Sequence, residues 1–263
     1  MFFDRLAASG CETLGVDVRA GDGVVAGDVL DLSQNLRLAL STVDLAILAV
    51  PDGIACRAAA EVAGALATDA MLVDCTSVKA PYVQAVAHAG TCGLISINPL
   101  FGPGLVWTGR SIVVTELRAP RFPERLTEFL GKSGLEIIRL DAERHDRYAA
   151  EGQAQLHAAI LAFITSASAD SLVFDTPPNR VIRMLAARIL SGEQHVYWEI
   201  QTLNPFAGEA RRRMITALQA IDEACAGGDT EGFARLLVGA RENLGRNAAE
   251  LSDKCVKLFD SLG

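Results

Sequence analysis

The sequence predicts an α/β domain followed by an all-helical domain, and two contrasting patterns along the chain support this prediction. Before residue 141, short apolar runs alternate with stretches of helical periodicity, which is typical of a mostly parallel sheet covered by helices on both faces. Beyond that residue, strand signals nearly vanish and long helical patterns follow one another. We therefore predict two domains, one over 1–141 and one over 142–263.

Six apolar runs predict the strands of the first domain, and the periodic segments between them predict its helices. The second run stops at Pro51 and the third ends at Asp74, because proline and turn-forming residues interrupt a strand ladder. The strands are predicted over 13–16, 45–50, 71–73, 94–97, 111–114 and 135–140. The helices are predicted over 3–9, 33–41, 53–67, 78–89 and 122–133.

The second domain carries helical periodicity throughout, interrupted mainly at a proline pair and a glycine pair. Pro177-Pro178 and Gly227-Gly228 mark these interruptions, since neither residue type continues a helix well. The helices are predicted over 143–170, 179–190, 193–202, 206–226 and 229–262, the last of them with room for one break.

The composition of the 263 residues excludes several classes of protein. Half of the residues are hydrophobic and 21% are charged, which indicates a globular chain with a substantial core. The net charge of -8 and the lack of a dense Lys/Arg cluster argue against a nucleic-acid partner. The six scattered cysteines contain no C-x-x-C pair and no histidine at ligand spacing, so we expect reduced thiols and no metal site.

The sequence carries no sign of a membrane or export segment. No apolar stretch is long enough to cross a bilayer. Asp4 and Arg5 interrupt the apolar run at the N-terminus, which does not fit a signal peptide. We therefore expect a soluble, cytoplasmic protein that has no membrane partner.

The N-terminal residues match the second half of a dinucleotide-binding unit. In a Rossmann domain, a first strand leads into a glycine-rich turn and a helix, and a second strand ends in an acidic residue that binds the adenosine ribose. Here a helix, a Ser-Gly turn and a strand lead to Asp17, and no strand with G-x-G-x-x-G precedes them. We therefore predict a Rossmann-like parallel sheet that lacks its first strand and glycine-rich loop. Two explanations stay open: a start at an internal methionine, or a protein that does without the loop.

Asp17 favours NAD as the cofactor, because a carboxylate at this position repels the 2′-phosphate of NADP. Arg19 lies two residues further on and keeps NADP open. Asp17 also fits a second interpretation, which is an ordinary strand-end aspartate in a turn.

Two motifs follow the third and fourth predicted strands, at the sheet edge where ligands bind in open α/β folds. The first runs from Asp74 through Ser77 to Lys79 as Asp-Cys-Thr-Ser-Val-Lys, and the second runs from Asn98 to Pro103 as Asn-Pro-Leu-Phe-Gly-Pro. The first motif alone is weak evidence, but the two motifs at this separation are specific. On them the chain resembles the prephenate dehydrogenase family, whose members carry S-V-K and then H-P-M-F-G-P at the same separation.

The resemblance continues through the helical half and implies the residues of a pocket for a small-molecule substrate. His145-Asp146 resembles part of the family's first long helix, on which a Gln and a His line the pocket. Two arginines of the family's next helix also have counterparts, and the second of them binds a substrate carboxylate. The implied pocket residues are Gln153, His157, Arg180, Arg188 and Tyr197.

These residue types suit a substrate with two carboxylates on physical grounds as well. Arginine pairs with a carboxylate through two parallel hydrogen bonds, and Arg180, Arg183 and Arg188 are predicted on one helix. Gln153 and His157 are four residues apart and therefore share a helix face. Ordinary polar surface faces are the alternative interpretation of both groups.

The resemblance also implies roles near the reacting ring, from which NAD would accept a hydride. Ser77 would make a polar contact beside the reacting carbon, Asn98 would face the ring substituent, and Lys79 would position the loop or a carboxylate. Val50-Pro51 would lie along the nicotinamide, and Asp74 is a further expected cofactor contact. Family members pair through the helical domain, so the resemblance implies a homodimer with a helical dimerisation domain.

Asn98 stands where the family's second motif opens with histidine. In the family, that histidine accepts a hydrogen bond from the ring hydroxyl as hydride leaves the same carbon. An asparagine oxygen accepts a hydrogen bond but takes up no proton, whereas the lone pair of a neutral amine expels the hydride without a base. The family includes enzymes that convert 4-amino-4-deoxyprephenate to 4-aminophenylpyruvate for specialised metabolites such as antibiotics, and we expect this substrate. Prephenate or arogenate, in tyrosine biosynthesis, is the alternative.

Two hypotheses from other classes stay open. A catalytically retired dehydrogenase, without its cofactor loop and its histidine, would be a binding or regulatory module. A β-hydroxyacid or imine reductase shares the two-domain layout, but those families use a lysine of the helical domain. Here lysine occurs after residue 132 only at 254 and 257, which disfavours that hypothesis.

Overall fold

The computed structural model describes residues 2–168, 170 and 173–262. The chain divides into two compact units. The first comprises Met1–Ala149 and Trp198–Pro205, and the second comprises Ala150–Tyr197 and Phe206–Gly263.

The first unit continues past the predicted boundary at residue 141 and takes in a second segment, 198–205. Asp146 holds the first extension in place, because its carboxylate accepts hydrogen bonds from the backbone N–H groups of Lys79 and the residue after it. Asn204 holds the second, since its Nδ2 donates to the carbonyl oxygen of Asp146 at 2.8 Å. Both contacts join residues far apart in the sequence, so helical periodicity alone does not reveal them.

The strands of the first unit form two separate sheets. They are β1 (Gly15–Asp17), β2 (Val24–Ala26), β3 (Leu45–Leu48), β4 (Met71–Asp74), β5 (Gly93–Pro99), β6 (Ser111–Arg118) and β7 (Glu136–Arg139). The strands β1 and β2 pair in parallel as a two-stranded sheet. The other sheet has the order β3-β4-β5-β6-β7, and its neighbours are parallel except for the antiparallel pair β5 and β6.

The strand that ends in Asp17 lies outside the larger sheet. In a complete Rossmann sheet the first strand lies between the strand that ends in the ribose-binding acid and the fourth strand. Here the corresponding strands are β1 and β3, and they belong to different sheets. The predicted Rossmann-like, mostly parallel sheet is therefore confirmed.

The register of the five-stranded sheet brings the ends of three parallel strands side by side. Leu48 of β3 lies opposite Asp74 of β4, and Asp74 lies opposite Ser96 of β5. The two sequence motifs start at this edge, because the first follows β4 and the second lies at the end of β5. The edge is where an open α/β sheet binds its ligands.

Helices surround the five-stranded sheet, and its side chains alternate between two apolar clusters. Leu72 belongs to one cluster with Tyr82, while Val73 belongs to the other with Ile112 and Leu130. The helices of the first unit are α1 (Phe2–Ala8), α2 (Gln34–Leu40), α3 (Asp52–Ala65), α4 (Lys79–Val86), α5 (Pro123–Lys132) and α6 (Ala142–Ala149).

The regular elements of the second unit are helical over the residues that the structure describes. They are a π-helix (Ala150–Gln155), α7 (Leu156–Ser166), α8 (Pro177–Leu190), α9 (Gln194–Thr202), which continues into the first unit, α10 (Ala207–Ala226), α11 (Thr230–Leu244), a short 3-10 helix (Gly245–Asn247) and α12 (Ala248–Ser261). The predicted helix over 143–170 is thus three elements, and the predicted break within 229–262 occurs at Gly245, whose φ of 64° favours glycine.

Two absences limit the kinds of site that the described residues can form. None of the helices among the described residues has both the length and the apolar character needed to cross a bilayer. The same residues contain no group of three or more His, Cys, Asp or Glu side chains placed to hold a metal ion.

Candidate functional site

Asp52 fixes the loop that carries Ser77. It is the first residue of α3 and is only 6% exposed. Its two carboxylate oxygens accept hydrogen bonds from the backbone N–H of Ser77 at 3.0 and 2.9 Å, and Oδ2 also accepts from Val78 N–H at 3.0 Å. Burial raises the pKa of Asp52 to about 6, against the opposing effect of these hydrogen bonds. The hydroxyl of Ser77 makes no hydrogen bond within the described residues, so it is free to contact a ligand.

Glu199 of α9 caps the N-terminus of α3. Its Oε2 accepts from Asp52 N–H at 3.1 Å and its Oε1 accepts from Gly53 N–H at 3.0 Å. These N–H groups have no partner within their own helix, and a carboxylate there also interacts favourably with the helix dipole. Val50 is half-buried and Pro51 is exposed just before this helix start.

Lys79 joins the two motif loops from inside the protein. Its side chain is fully buried, and its Nζ donates to the carbonyl oxygens of Thr76 at 2.7 Å and Ile97 at 2.8 Å. Burial lowers the pKa of Lys79, while the carboxylate of Asp74 at 3.9 Å acts in the opposite direction. Of the two expectations for Lys79, the geometry matches the positioning of a loop, because a buried ammonium reaches no substrate.

Asp74 supports the same loops, and its expected contact with a cofactor stays a prediction. Its side chain has no exposed surface. Its Oδ1 accepts from Thr76 N–H at 3.0 Å, Thr76 Oγ1 at 2.6 Å and Ser96 Oγ at 2.8 Å. One oxygen of the carboxylate at the end of β4 therefore orders the turn, while its Oδ2 is buried and has no hydrogen-bond partner among the described residues.

Asn98, His145 and Asp146 form a buried chain of hydrogen bonds. Asn98 Nδ2 lies 2.9 Å from His145 Nε2, and His145 Nδ1 lies 2.8 Å from Asp146 Oδ1. The Asp146 carboxylate also accepts from the N–H groups of Lys79 and Ala80, both at 2.8 Å, so it caps the start of α4 from another helix. Burial lowers the pKa of His145 against the opposing hydrogen bond to Asp146, which favours a neutral ring.

Gln153, His157 and Tyr197 belong to the second unit, and each of the first two keeps a buried polar atom without a partner. Gln153 Oε1 and His157 Nδ1 are buried and make no hydrogen bond within the described residues. The rings of His157 and Tyr197 meet edge to face with centroids 5.0 Å apart. Unpartnered buried polar atoms of this kind mark places where a water or ligand binds, and π-helices such as the one that carries Gln153 are frequent at functional sites.

The two predicted arginines differ in their surroundings. Arg180 is engaged, because its guanidinium pairs with Asp175 at 2.7 Å and donates to the carbonyl oxygen of Leu262 at 2.6 Å. Arg188 is exposed, and its guanidinium forms no ion pair or hydrogen bond within the described part of the chain. The guanidinium of Arg188 is therefore available to pair with a carboxylate through two hydrogen bonds.

Asp17 is exposed at the end of β1. Its Oδ1 accepts a hydrogen bond from Arg19 N–H at 2.9 Å. That is the geometry of an ordinary aspartate turn, and it leaves the second carboxylate oxygen available to a ribose.

Three features of the site were not predicted from the sequence. The capping of α3 by Glu199 joins residues far apart in the sequence and has no local signal. Asp52 does have a local signal in the sequence, because an acidic residue directly after a strand-ending proline is typical of a helix start. His145-Asp146 was identified only by its resemblance to part of the family's first long helix. The contact between His145 and Asn98 depends on the fold.

The chain is similar to known proteins over its whole length. The model of the nucleotide-binding domain of prephenate dehydrogenase matches residues 8–112. A 4-amino-4-deoxyprephenate dehydrogenase from Streptomyces pristinaespiralis is 34% identical, over 100% of this chain and 93% of that protein. A probable arogenate/prephenate dehydrogenase from Methanocaldococcus jannaschii is 27% identical, over 92% of this chain and 58% of that protein.

A solved structure shares the fold. Prephenate dehydrogenase from Aquifex aeolicus, in complex with hydroxyphenyl propionate and NAD+, superposes with a TM-score of 0.73 at 15% identity. The match covers 92% of each chain. At this identity the likeness establishes the fold alone, a nucleotide-binding domain together with a helical domain.

Proposed function

Because the chain belongs to the prephenate dehydrogenase family, whose members are NAD-dependent dehydrogenases of prephenate-type rings, we propose that its substrate is 4-amino-4-deoxyprephenate. The reaction is an oxidative decarboxylation to 4-aminophenylpyruvate. The relative from Streptomyces pristinaespiralis carries this activity in its name and is similar along the whole chain, which supports the proposal.

The observation that carries the proposal is the hydrogen bonding of the Asn98 side chain. It lies at the end of β5 and is hydrogen-bonded through Nδ2 to a neutral histidine, while its Oδ1 makes no hydrogen bond among the described residues. An amide oxygen accepts a hydrogen bond and takes up no proton. Oxidation of a carbinol has to remove the hydroxyl proton, so a group near neutral pKa would help, whereas oxidation of a neutral amine needs only a hydrogen-bond acceptor.

The ring chemistry then proceeds on the electrons of the substrate. The nitrogen lone pair forms a C=N bond as hydride leaves the carbon that carries the amine. Loss of carbon dioxide from the opposite ring carbon returns an electron pair to the ring and makes it aromatic. Asn98 Oδ1 accepts a hydrogen bond from the amine throughout, and the free hydroxyl of Ser77 makes a polar contact beside the reacting carbon.

The residues of the second unit are assigned to the rest of the substrate. Arg188 binds a carboxylate, because its guanidinium is exposed and unpaired within the described residues. Gln153 and His157 supply the polar atoms that lack a partner, and Tyr197 packs on His157. Arg180 holds Asp175 and a backbone carbonyl, so we assign it to the support of α8.

The described residues fit NAD at its two ends. Asp17 offers an exposed carboxylate oxygen for the adenosine ribose and repels a 2′-phosphate, and Val50-Pro51 lies at a strand end where the nicotinamide would bind. No G-x-G-x-x-G turn occurs in the given sequence. NAD, when bound, accepts the hydride from the ring carbon.

The remaining parts of the proposal concern assembly and location. The helices α10, α11 and α12 expose large apolar side chains, among them Leu218 at 67%, Leu237 at 54% and Val256 at 55%. Apolar surface of this kind is typical of an interface, and we assign it to a homodimer. The cysteines of the chain are free thiols, which fits the reducing cytoplasm.

The test compares the three substrates at saturating NAD. We expect kcat/KM for 4-amino-4-deoxyprephenate to exceed that for prephenate and for arogenate by at least about 10-fold, because the acceptor selects the substituent. Asn98→His should shift this ratio toward prephenate, and Asn247→His on the exposed surface should leave it unchanged. A clear preference of the unmodified chain for prephenate would contradict the proposed substrate.

One other candidate function is a catalytically retired binding module, which is favoured by Asn98 at the position where the family's motif opens with histidine. Calorimetric titration with NAD separates the two. Binding of NAD together with turnover supports the dehydrogenase, and the absence of both, in a chain that is folded by circular dichroism, supports the retired module.

A further inference from the structure

The amide of Asn98 faces only one hydrogen-bonding group among the described residues. Its Nδ2 lies 2.9 Å from His145 Nε2, and Asn98 is 4% exposed. No other hydrogen bond of the described residues uses either end of this amide. The choice of which amide atom faces the ligand therefore depends on His145.

The chemistry of Asp146 decides the tautomer of His145. The carboxylate of Asp146 only accepts hydrogen bonds, and its Oδ1 already accepts from Lys79 N–H. His145 Nδ1 at 2.8 Å must therefore carry the ring proton and donate it to Oδ1. In a neutral ring the other nitrogen, Nε2, then has a free lone pair.

A lone pair on Nε2 fixes the orientation of the amide. Only the nitrogen end of Asn98 can donate to it, so the oxygen end points the other way. The assignment of the two ends follows from this network and not from their shapes, which are nearly the same. The carboxylate of Asp146, at the start of α4, orients His145, and His145 in turn orients the amide of Asn98. The Asn98 oxygen is thus held as a hydrogen-bond acceptor at the end of β5.

We propose that His145 and Asp146 are positioning residues that hold Asn98 Oδ1 toward the ring substituent of the substrate. This inference rests on the proposed function. It narrows the substrate to one whose ring substituent donates a hydrogen bond and needs no proton removed by the protein, as is the case for a neutral amine.

The orientation makes a pH-dependent prediction. Protonated His145 carries hydrogens on both nitrogens, so Nε2 would repel the Asn98 amino group and the amide would turn its nitrogen toward the substrate. The charged groups that act on the pKa of His145 are Asp146, Asp74 and Lys79. Burial and the charge of Lys79 both lower this pKa, whereas Asp146 and Asp74 raise it. The acid limb of kcat should therefore lie below the ordinary range of histidine.

The test uses two variants of His145 and a control. His145→Leu removes the acceptor and should lower kcat by about 10-fold to 100-fold, by analogy with residues that orient metal-ligating side chains, with a smaller change in KM. His145→Gln keeps an oxygen that can accept from Asn98, and it should recover most of the rate and abolish the acid limb, since glutamine does not titrate. His88→Gln, at an exposed histidine, should change neither. An unchanged kcat in His145→Leu, or an acid limb that persists in His145→Gln, overturns the proposal.

A measurement on the unmodified chain covers the case in which both variants fail to fold. Long-range ¹H–¹⁵N spectra distinguish a protonated Nδ1 from a protonated Nε2. We expect protonated Nδ1 and bare Nε2 at neutral pH, and the opposite tautomer overturns the proposal. This readout needs no turnover, so it stays decisive even if prephenate proves to be the substrate and the proposed function fails.

Discussion

The ammonium of Lys79 lies out of water, between two carbonyl oxygens and 3.9 Å from the carboxylate of Asp74. Lys79→Met would keep the bulk of the side chain and leave Asp74 as an uncompensated buried charge. Removing one partner of a buried pair typically costs about 3–5 kcal/mol. We expect a loss of that size in the free energy of unfolding, measured by urea denaturation.

A matched control separates burial from charge. Lys132→Met removes an equally charged residue from an exposed pair with Glu128, four residues earlier on α5. Exposed pairs contribute less than about 1 kcal/mol, so this variant should unfold at nearly the same urea concentration as the parent. Equal losses in both variants would contradict the role of Lys79 as a buried tie between the loops.

Asp52 predicts a dependence of stability on pH. Burial raises its folded pKa from 3.8 to about 6, so the folded state binds more protons than the unfolded state between these values. Its contribution to stability is therefore present at low pH and is lost as the pH rises through about 6, by about 3 kcal/mol in all. Asp52→Asn abolishes this titration. The free energy of unfolding of the parent, relative to the variant, should fall between about pH 4 and pH 7, and a constant difference would refute the assignment.

Single residues were predictable from the sequence only where a local pattern marks them. Ser77 follows β4 and Asn98 lies at the end of β5, both inside recognisable motifs and at the expected sheet edge. The burial of Asp74 was not predictable, because its partner Ser96 comes from the neighbouring strand. The same holds for His145, whose contact with Asn98 is made only when α6 packs against the sheet.

At the scale of elements, the cap of α3 predicts a loss of helix stability. Glu199→Gln removes the negative charge that faces Asp52 N–H and Gly53 N–H. A charge at a helix terminus contributes about 0.3–2 kcal/mol, and we expect a decrease in this range by thermal unfolding. Because Glu199 also raises the pKa of Asp52, the variant should lower that pKa.

The control for this prediction is Glu193→Gln, just before α9, where the side chain is exposed. It should change the melting temperature by less than the uncertainty of the measurement. A Glu199 variant that behaves like the Glu193 variant would show that the cap contributes nothing.

The elements themselves were largely predictable, and the exceptions have physical causes. β2 was missed because it has only three residues and lies between glycines. The π-helix was missed because its sequence, AEGQAQ, keeps an ordinary helical pattern on both sides. Strands β5 and β6 are longer than their apolar cores, since pairing with each other extends them over polar ends.

At the scale of the whole molecule, the exposed apolar side chains of the second unit predict association. We expect light scattering to give twice the 27.9 kDa mass of the chain. Leu237→Glu, on α11, places a charge in this surface and should shift the equilibrium to the monomer. Leu38→Glu, at a leucine of α2 in the first unit that is 67% exposed, should leave the dimer intact. A monomeric parent chain would contradict the assignment.

The two-part organisation was visible in the sequence, but its boundary was not. The pattern does change from alternating to purely helical near residue 141. The first unit nevertheless extends to Ala149 and also includes 198–205. Periodicity reports which elements form, whereas membership of a unit depends on long-range contacts such as that between Asn204 and Asp146.

The separation of β1 and β2 from the larger sheet bears on amide hydrogen exchange. A sheet of two strands with three residues each is marginally stable by itself, so its amides should open locally and exchange for deuterium long before those of the five-stranded sheet. Asp17 ends the first of these strands, so a cofactor that binds its carboxylate would slow their exchange in proportion to its occupancy. The deuterium content of this small sheet would then report cofactor binding in the absence of any substrate.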